Sequence, residues 1–160
     1  MNHSHHPPET TGGSGVVSWG QAAQATAHCL LGCAIGEVAG MVIGVALGLP
    51  AAGTVALAVA LAFGFGYALT MRAVVRAGLP ARQALKVALA ADTVSIAVME
   101  VVDNTVMVGM PGAMTAGLGD VLFWGALVAA LVVAFVVTVP VNRWLIGKGK
   151  GHAVVHAHHH

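Results

Sequence analysis

Charge is what this chain has least of. Only 8% of its 160 residues are charged against 58% hydrophobic, with a mean hydropathy of +0.85. A soluble domain carries about a quarter charged residues, so this shortage excludes one and leaves an integral membrane protein. Aromatic residues are scarce too, at 5%, and no basic patch is interleaved with them, which excludes a nucleic-acid binder. The two cysteines, Cys29 and Cys33, both lie inside one apolar run, so they are not the framework of a secreted disulfide scaffold. No Gly-x-Ser-x-Gly motif is present and the only histidine inside an apolar run is His28, so no nucleophile–base–orienter pattern is evident. The start, "MNHSHHPPETTGGSG", has no basic segment followed directly by a short apolar core, and no cleaved signal peptide is expected. Phosphate-cradling glycine loops are absent as well, because the glycines sit within apolar runs. Nothing in this inventory points to an enzyme.

What is present is four apolar stretches, at about 22–48, 52–73, 83–109 and 120–146. A helix needs about 20 such residues to cross the hydrocarbon, so the expected fold is all-α, a compact bundle of four transmembrane helices. Residues 1–17 read as a disordered tail holding His3, His5 and His6, and residues 148–160 as a second histidine-rich tail whose last three histidines are native or a purification tag. The transmembrane domain is then 18–147. Trp19, Gln21 and Gln24 suit an interfacial first turn, Pro50 and the pair Pro111–Gly112 close spans one and three, and Asp120 reads as the N-cap of span four. Pro140 is expected to kink that last span. Arg72, Arg76, Arg82, Lys86, Arg143, Lys148 and Lys150 all fall around the second loop or after the fourth span, and the loops "GLPAAGT" and "MPGAMTAGLGD" contain none. The positive-inside rule therefore puts both termini in the cytoplasm, in a multi-pass protein of a bacterial inner membrane.

Four of the six acidic residues, Glu37, Asp92, Glu100 and Asp103, lie within spans one and three. A charge at mid-bilayer costs at least about 2.5–3.5 kcal/mol, so these side chains should face the bundle interior. Span one shows how they could be sheltered. Gly32, Gly36, Gly40, Gly44 and Gly48 recur at every fourth position, a ridge that lets another backbone approach closely, whether a neighbouring span or a second copy of the chain. Cys29, Cys33, Glu37 and Met41 form a parallel row about 100° around the helix, with His28 heading the glycine row. Two thiols one turn apart can reach one ion, with His28 adding nitrogen, and soft ligands favour Cu(I) or Zn(II). In span three, Asp92, Met99 and Asp103 share a face, with Ser95, Glu100 and Asn104 beside it. Spans one and three run in the same direction, which levels Asp92 with Cys33 and Glu100 with Glu37 to within about a turn. The two faces together would make one polar column. Met107, Met110 and Met114 cluster at its outer mouth, where thioethers suit a soft cation.

The segments "HCLLGCAIGEVAGMVIG", "ALAADTVSIAVMEVVDNTVM" and "PVNRWLIGKGKGHAVV", in this order and spacing, resemble a bacterial family of small membrane proteins known as domain of unknown function 4396. The likeness covers about residues 22–156. It implies a compact four-helix membrane unit and draws attention to His28, Cys29, Cys33, Glu37, Asp92, Ser95, Met99, Glu100, Asp103 and Asn104, without implying an activity.

The leading expectation is a protein that binds or transports a transition metal, Cu(I) above all. His28, Cys29 and Cys33 would hold the ion, with Met41 and Met99 adding thioethers, while the acids balance its charge. Three other readings stand beside it: an assembly module packed through the glycine ridge, a thiol–disulfide oxidoreductase using the two cysteines, and a proton-coupled solute carrier using Glu37 and Glu100. Lipid is the expected surrounding in all of them.

Overall fold

The computed structural model describes residues 17–148, apart from 77 and 79, together with the backbone but not the side chains of 84, 87, 88 and 91. The histidine-rich stretches at both termini lie outside the described residues. Four long helices follow one another: α1 (Trp19–Ala46), α2 (Ala51–Arg76), α3 (Ala81–Gly109) and α4 (Val121–Gly147). A single 3-10 turn, Ala113–Thr115, sits between the last two, and the described residues contain no strand.

Helices α1, α2 and α4 are each long and apolar enough to cross a membrane. Helix α3 has 29 residues, the same length class, but Arg82, Lys86, Asp92, Glu100 and Asp103 lower its apolar character. Thus three of the four expected spans stand on length and composition alone. The bundle is apolar outside: Leu31, Val42, Val101, Val128, Val132 and Val136 are all exposed, the inverse of a water-soluble helix surface.

The helix ends follow local chemistry. Ser18 caps α1: its hydroxyl accepts from the Gln21 backbone N–H, and the Gln21 side chain accepts from the Ser18 N–H in return, a capping box. Gly48, at φ +65°, turns the chain after α1 where an L side chain would be strained. Asp120 stands at the N-cap of α4, yet its side chain makes no cap bond; Oδ2 accepts instead from the Gly117 N–H at 2.7 Å, tightening the preceding loop. Pro140 lies within α4, which continues unbroken from Val121 to Gly147.

Helices α1 and α3 each touch all three others, whereas α2 and α4 hardly meet. The closest partner of α1 is α2. A Cβ at Gly36 or Gly40 would run into the backbone of Ala62 or Ala58, one at Gly32 would stand 2.7 Å from Gly66 Cα, and one at Gly44 would stand 2.6 Å from the Thr54 side chain. Each step of four forward along α1 is met by a step of four back along α2, so the pair is antiparallel with two rows of small residues face to face. Gly48 leaves this row: it belongs to the turn, and a side chain there would meet nothing within 4 Å. The row is thus filled by α2 of the same chain, and a second copy has to meet another face. Helix α4 contributes a small-residue row of its own, Ala126, Ala130, Ala134, Thr138 and Asn142, all buried.

At the end of the bundle that carries the termini, α1 and α4 are tied by polar contacts. Asn142 Nδ2 donates to Thr26 Oγ1 at 2.8 Å, and that hydroxyl donates to Ala22 O at 2.7 Å. Arg143 Nε donates to Val17 O at 3.1 Å, and its guanidinium lies 4.3 Å from the centre of the Trp19 ring.

Candidate functional site

The row that flanks the glycines on α1 faces α3. Cys29 and Cys33 are almost fully buried, in one cluster with Met99, Ile96, Ala62 and Ala134. Both thiols are free. Cys29 Sγ donates to Asp92 Oδ1 at 3.5 Å, and Cys33 Sγ points at Met99 Sδ across 3.9 Å. Ser95 is buried beside the first pair and Glu100 lies beside the second. Asp92 is level with Cys29, one turn from Cys33, and Glu100 stands between Cys33 and Glu37, so the register lies within the one-turn margin of the sequence expectation. Counting residues from helix ends set by loops cannot fix such an offset, because each end shifts by a residue or two.

Towards the loops that join α1 to α2 and α3 to α4, the seam opens into a cavity of about 290 Å³. Glu37, Glu100, Asp103 and Asn104 line one side, and Met41, Met107 and Met114 contribute thioethers. Thr54, Val55 and Ala58 of α2, Phe123 and Leu127 of α4, and residues 113–117 of the loop between α3 and α4 also line it. Glu37, Glu100 and Asp103 are 9%, 5% and 4% exposed. The Glu37 and Asp103 carboxyls stand within hydrogen-bond reach of each other, and that of Glu100 lies beside the Cys33 thiol and the Asn104 amide. Asn104 is anchored, its amide donating to Glu100 O at 2.8 Å. No lysine, arginine or histidine lines the cavity among the described residues.

Of the sequence-predicted residues, the seam and cavity collect Cys29, Cys33, Glu37, Met41, Asp92, Ser95, Met99, Glu100, Asp103, Asn104, Met107 and Met114. Met110 does not line the cavity; it packs half-buried against the apolar cluster around Phe123. His28 is half-buried and continues the glycine row, which faces α2; the register sets it opposite Thr70, about 100° from the thiols. Among the described residues no three of His, Cys, Asp and Glu are arranged to hold a metal ion. The expected His28, Cys29 and Cys33 triad is therefore not assembled, because consecutive positions on a helix point to different neighbours. What is assembled instead is a thiol with a thioether.

Sequence reading missed the cavity's far wall. Thr54, Phe123 and the turn at Ala113–Thr115 carry no chemical signature; they matter by position. Asn142, and its partner Thr26, could have been noticed as amide and hydroxyl inside otherwise apolar runs.

A family model described as "Domain of unknown function (DUF4396)" matches residues 18–151. No curated protein and no solved structure matches the chain.

Proposed function

Taking as premise that the chain belongs to that family, whose description carries no activity, we propose that it is a four-span membrane protein that binds and passes a soft transition-metal cation, Cu(I) in preference to Zn(II). The observation that carries this reading is the Cys33–Met99 pair. Two sulfurs 3.9 Å apart can share one ion at metal–sulfur distances of about 2.3 Å. One is a thiol, able to supply a thiolate, and the other a neutral thioether; both are soft donors. Cys29, one turn along and bonded to Asp92, offers a second thiol towards the terminal end. Met114, Met107 and Met41 line the approach from the loop end, and the carboxyls of the cavity attract positive charge.

Helix α3 is taken as the fourth span. Its acids turn inward, while Val94, Val101 and Val108 form an exposed apolar stripe at seven-residue spacing. Its exposed hydroxyls are satisfied at home: Thr93 donates to Leu89 O, and Thr105 to Val101 O at 2.6 Å. Such internal bonding is what lipid contact demands. The described basic residues then gather at the end of the bundle that bears both termini, which we assign to the cytoplasm of a bacterial inner membrane.

The test is copper binding by the full chain, purified in detergent under reducing, oxygen-free conditions and titrated against a Cu(I) chelator. Wild type should retain about one ion per chain. Cys33→Ser should lose it, and Met99→Leu should weaken it by at least tenfold, with Cys29→Ser intermediate. Equal copper in wild type and the Cys29→Ser/Cys33→Ser double variant would end the proposal.

A further inference from the structure

The end of the bundle that bears both termini carries a groove of about 340 Å³ between the start of α1 and the end of α4, lined by Val17, Trp19, Pro140, Arg143, Trp144 and Gly147. Its one charged lining residue is held in place by the fold itself: Arg143 Nε donates to Val17 O at 3.1 Å, and the guanidinium lies 4.3 Å from the centre of the Trp19 ring. The terminal Nη groups have no partner among the described residues. A fixed guanidinium with its outer N–H donors unused matches the oxygens of a phosphate. We infer that this groove binds the headgroup of an anionic phospholipid, at a site apart from the thiol seam and independent of the copper reading.

The surroundings select a lipid over a dissolved anion. Helices α1 and α4 are both long and apolar enough to cross a membrane, which makes lipid the neighbour already at hand. Trp19 and Trp144 are 55% and 59% exposed, as amphipathic rings at headgroup level are. From the groove, Pro140, Val137, Val136 and Val133 continue along one exposed face of α4 towards the middle of the span, an apolar track for an acyl chain beneath its own headgroup. Charge then selects among lipids. Lys148 Nζ, 5.6 Å from the centre of the Trp144 ring, adds a second cation at the same end. No lining residue is acidic, and the described carboxyls lie elsewhere: Glu37, Asp92, Glu100 and Asp103 are buried within the bundle, and Asp120 stands at the opposite end of α4. A zwitterionic headgroup finds a donor for its phosphate here but no carboxylate for its ammonium, whereas a net-negative headgroup is matched throughout. Basic pockets between transmembrane helices serve anionic headgroups in this way.

The experiment is native mass spectrometry of the full chain, released from a neutral detergent after titration with dioleoyl phosphatidylglycerol, dioleoyl phosphatidylethanolamine or inorganic phosphate. Wild type should retain about one phosphatidylglycerol per chain where phosphatidylethanolamine is retained at least about fivefold less. Excess inorganic phosphate should not displace it. Arg143→Gln should abolish the preference. Gly147→Leu keeps every charge and should abolish it too by filling the groove; a Cβ there clears Val17 at 3.8 Å, so the fold accepts the change. Arg72→Gln/Arg76→Gln removes two exposed cations outside the groove and should leave the preference unchanged. Cys33→Ser should leave it unchanged as well, which separates this site from the copper site whatever the outcome there. The site is refuted by equal retention of the two lipids, by wild-type preference in either Arg143→Gln or Gly147→Leu, or by displacement with inorganic phosphate. A loss in Arg72→Gln/Arg76→Gln as large as in Arg143→Gln would refute it too, since diffuse surface charge would then account for the attraction.

Discussion

Helix α1 presents two faces that differ by one residue in sequence and by nearly everything in physics. The face of Gly32, Gly36, Gly40 and Gly44 meets α2 with backbone against backbone and no room for a methyl group. The face of Cys29, Cys33, Glu37 and Met41 meets α3 across sulfur atoms, carboxyls and a cavity. From Gly32 to Gly44 the tight seam meets one polar side chain, Thr54, whereas the polar seam buries Glu37, Asp92, Glu100 and Asp103. A membrane bundle has no hydrophobic drive to bring helices together, so close packing has to supply the cohesion. Here one face supplies it, and the other is left free to hold space and charge. The first face should therefore be sensitive to size and the second to polarity.

The largest effect is expected where size is added to the tight face. In Gly36→Leu, the new side chain points into the Ala62 backbone, and no rotamer removes its Cβ. Overpacking typically costs about 1–3 kcal/mol and more when the obstacle is rigid, so folded yield and the detergent melting temperature should both fall steeply. Gly48→Ala is the matched control: it meets nothing, and only its φ of +65° is penalised, at about 1–2 kcal/mol. If Gly36→Leu melts no lower than Gly48→Ala, the close seam is not what holds α1.

A smaller loss is expected at the α1–α4 tie. Asn142→Leu removes the amide that donates to Thr26 Oγ1, and interhelical hydrogen bonds of this kind are worth about 0.6–2 kcal/mol in membranes. Thr26→Val removes the other partner. The two losses should not add: the double variant should melt close to the worse single variant. Additive losses would mean that the two side chains stabilise the bundle separately.

Much of this division was legible in the sequence. Helix bounds came within a few residues of the four apolar runs, because apolar length and the Pro and Gly breakers at 50, 78, 80, 111 and 112 determine them. The two rows of α1 followed from four-residue spacing, and the inward turn of Asp92, Glu100 and Asp103 from the cost of charge in lipid. What spacing could not supply was which helix each row meets. That α2 answers the glycines with Gly66, Ala62, Ala58 and Thr54 is a pairing between distant segments. His28 and Gly48 illustrate the limit: each extends the four-residue pattern, yet one is carried onto the α2 side, away from the thiols, and the other falls in a turn. The cavity was invisible because a cavity is where side chains stop short, and no residue type announces that.

The smallest effect on stability, and the sharpest on the comparison, is expected from Glu100→Gln. Glu100 is 5% exposed, with its carboxyl beside the Cys33 thiol and the Asn104 amide, and an amide of nearly the same shape can keep an acceptor towards both. It also removes an ionisable group from a site shared with Glu37 and Asp103. A neutral amide costs less to bury than a charged carboxylate. The melting temperature should therefore stay within about 1 kcal/mol equivalent of wild type or rise, while Cu(I) binding weakens. A loss above about 2 kcal/mol would mean that Glu100 anchors the bundle, and the polar face would then be a second cohesive seam instead of a functional one.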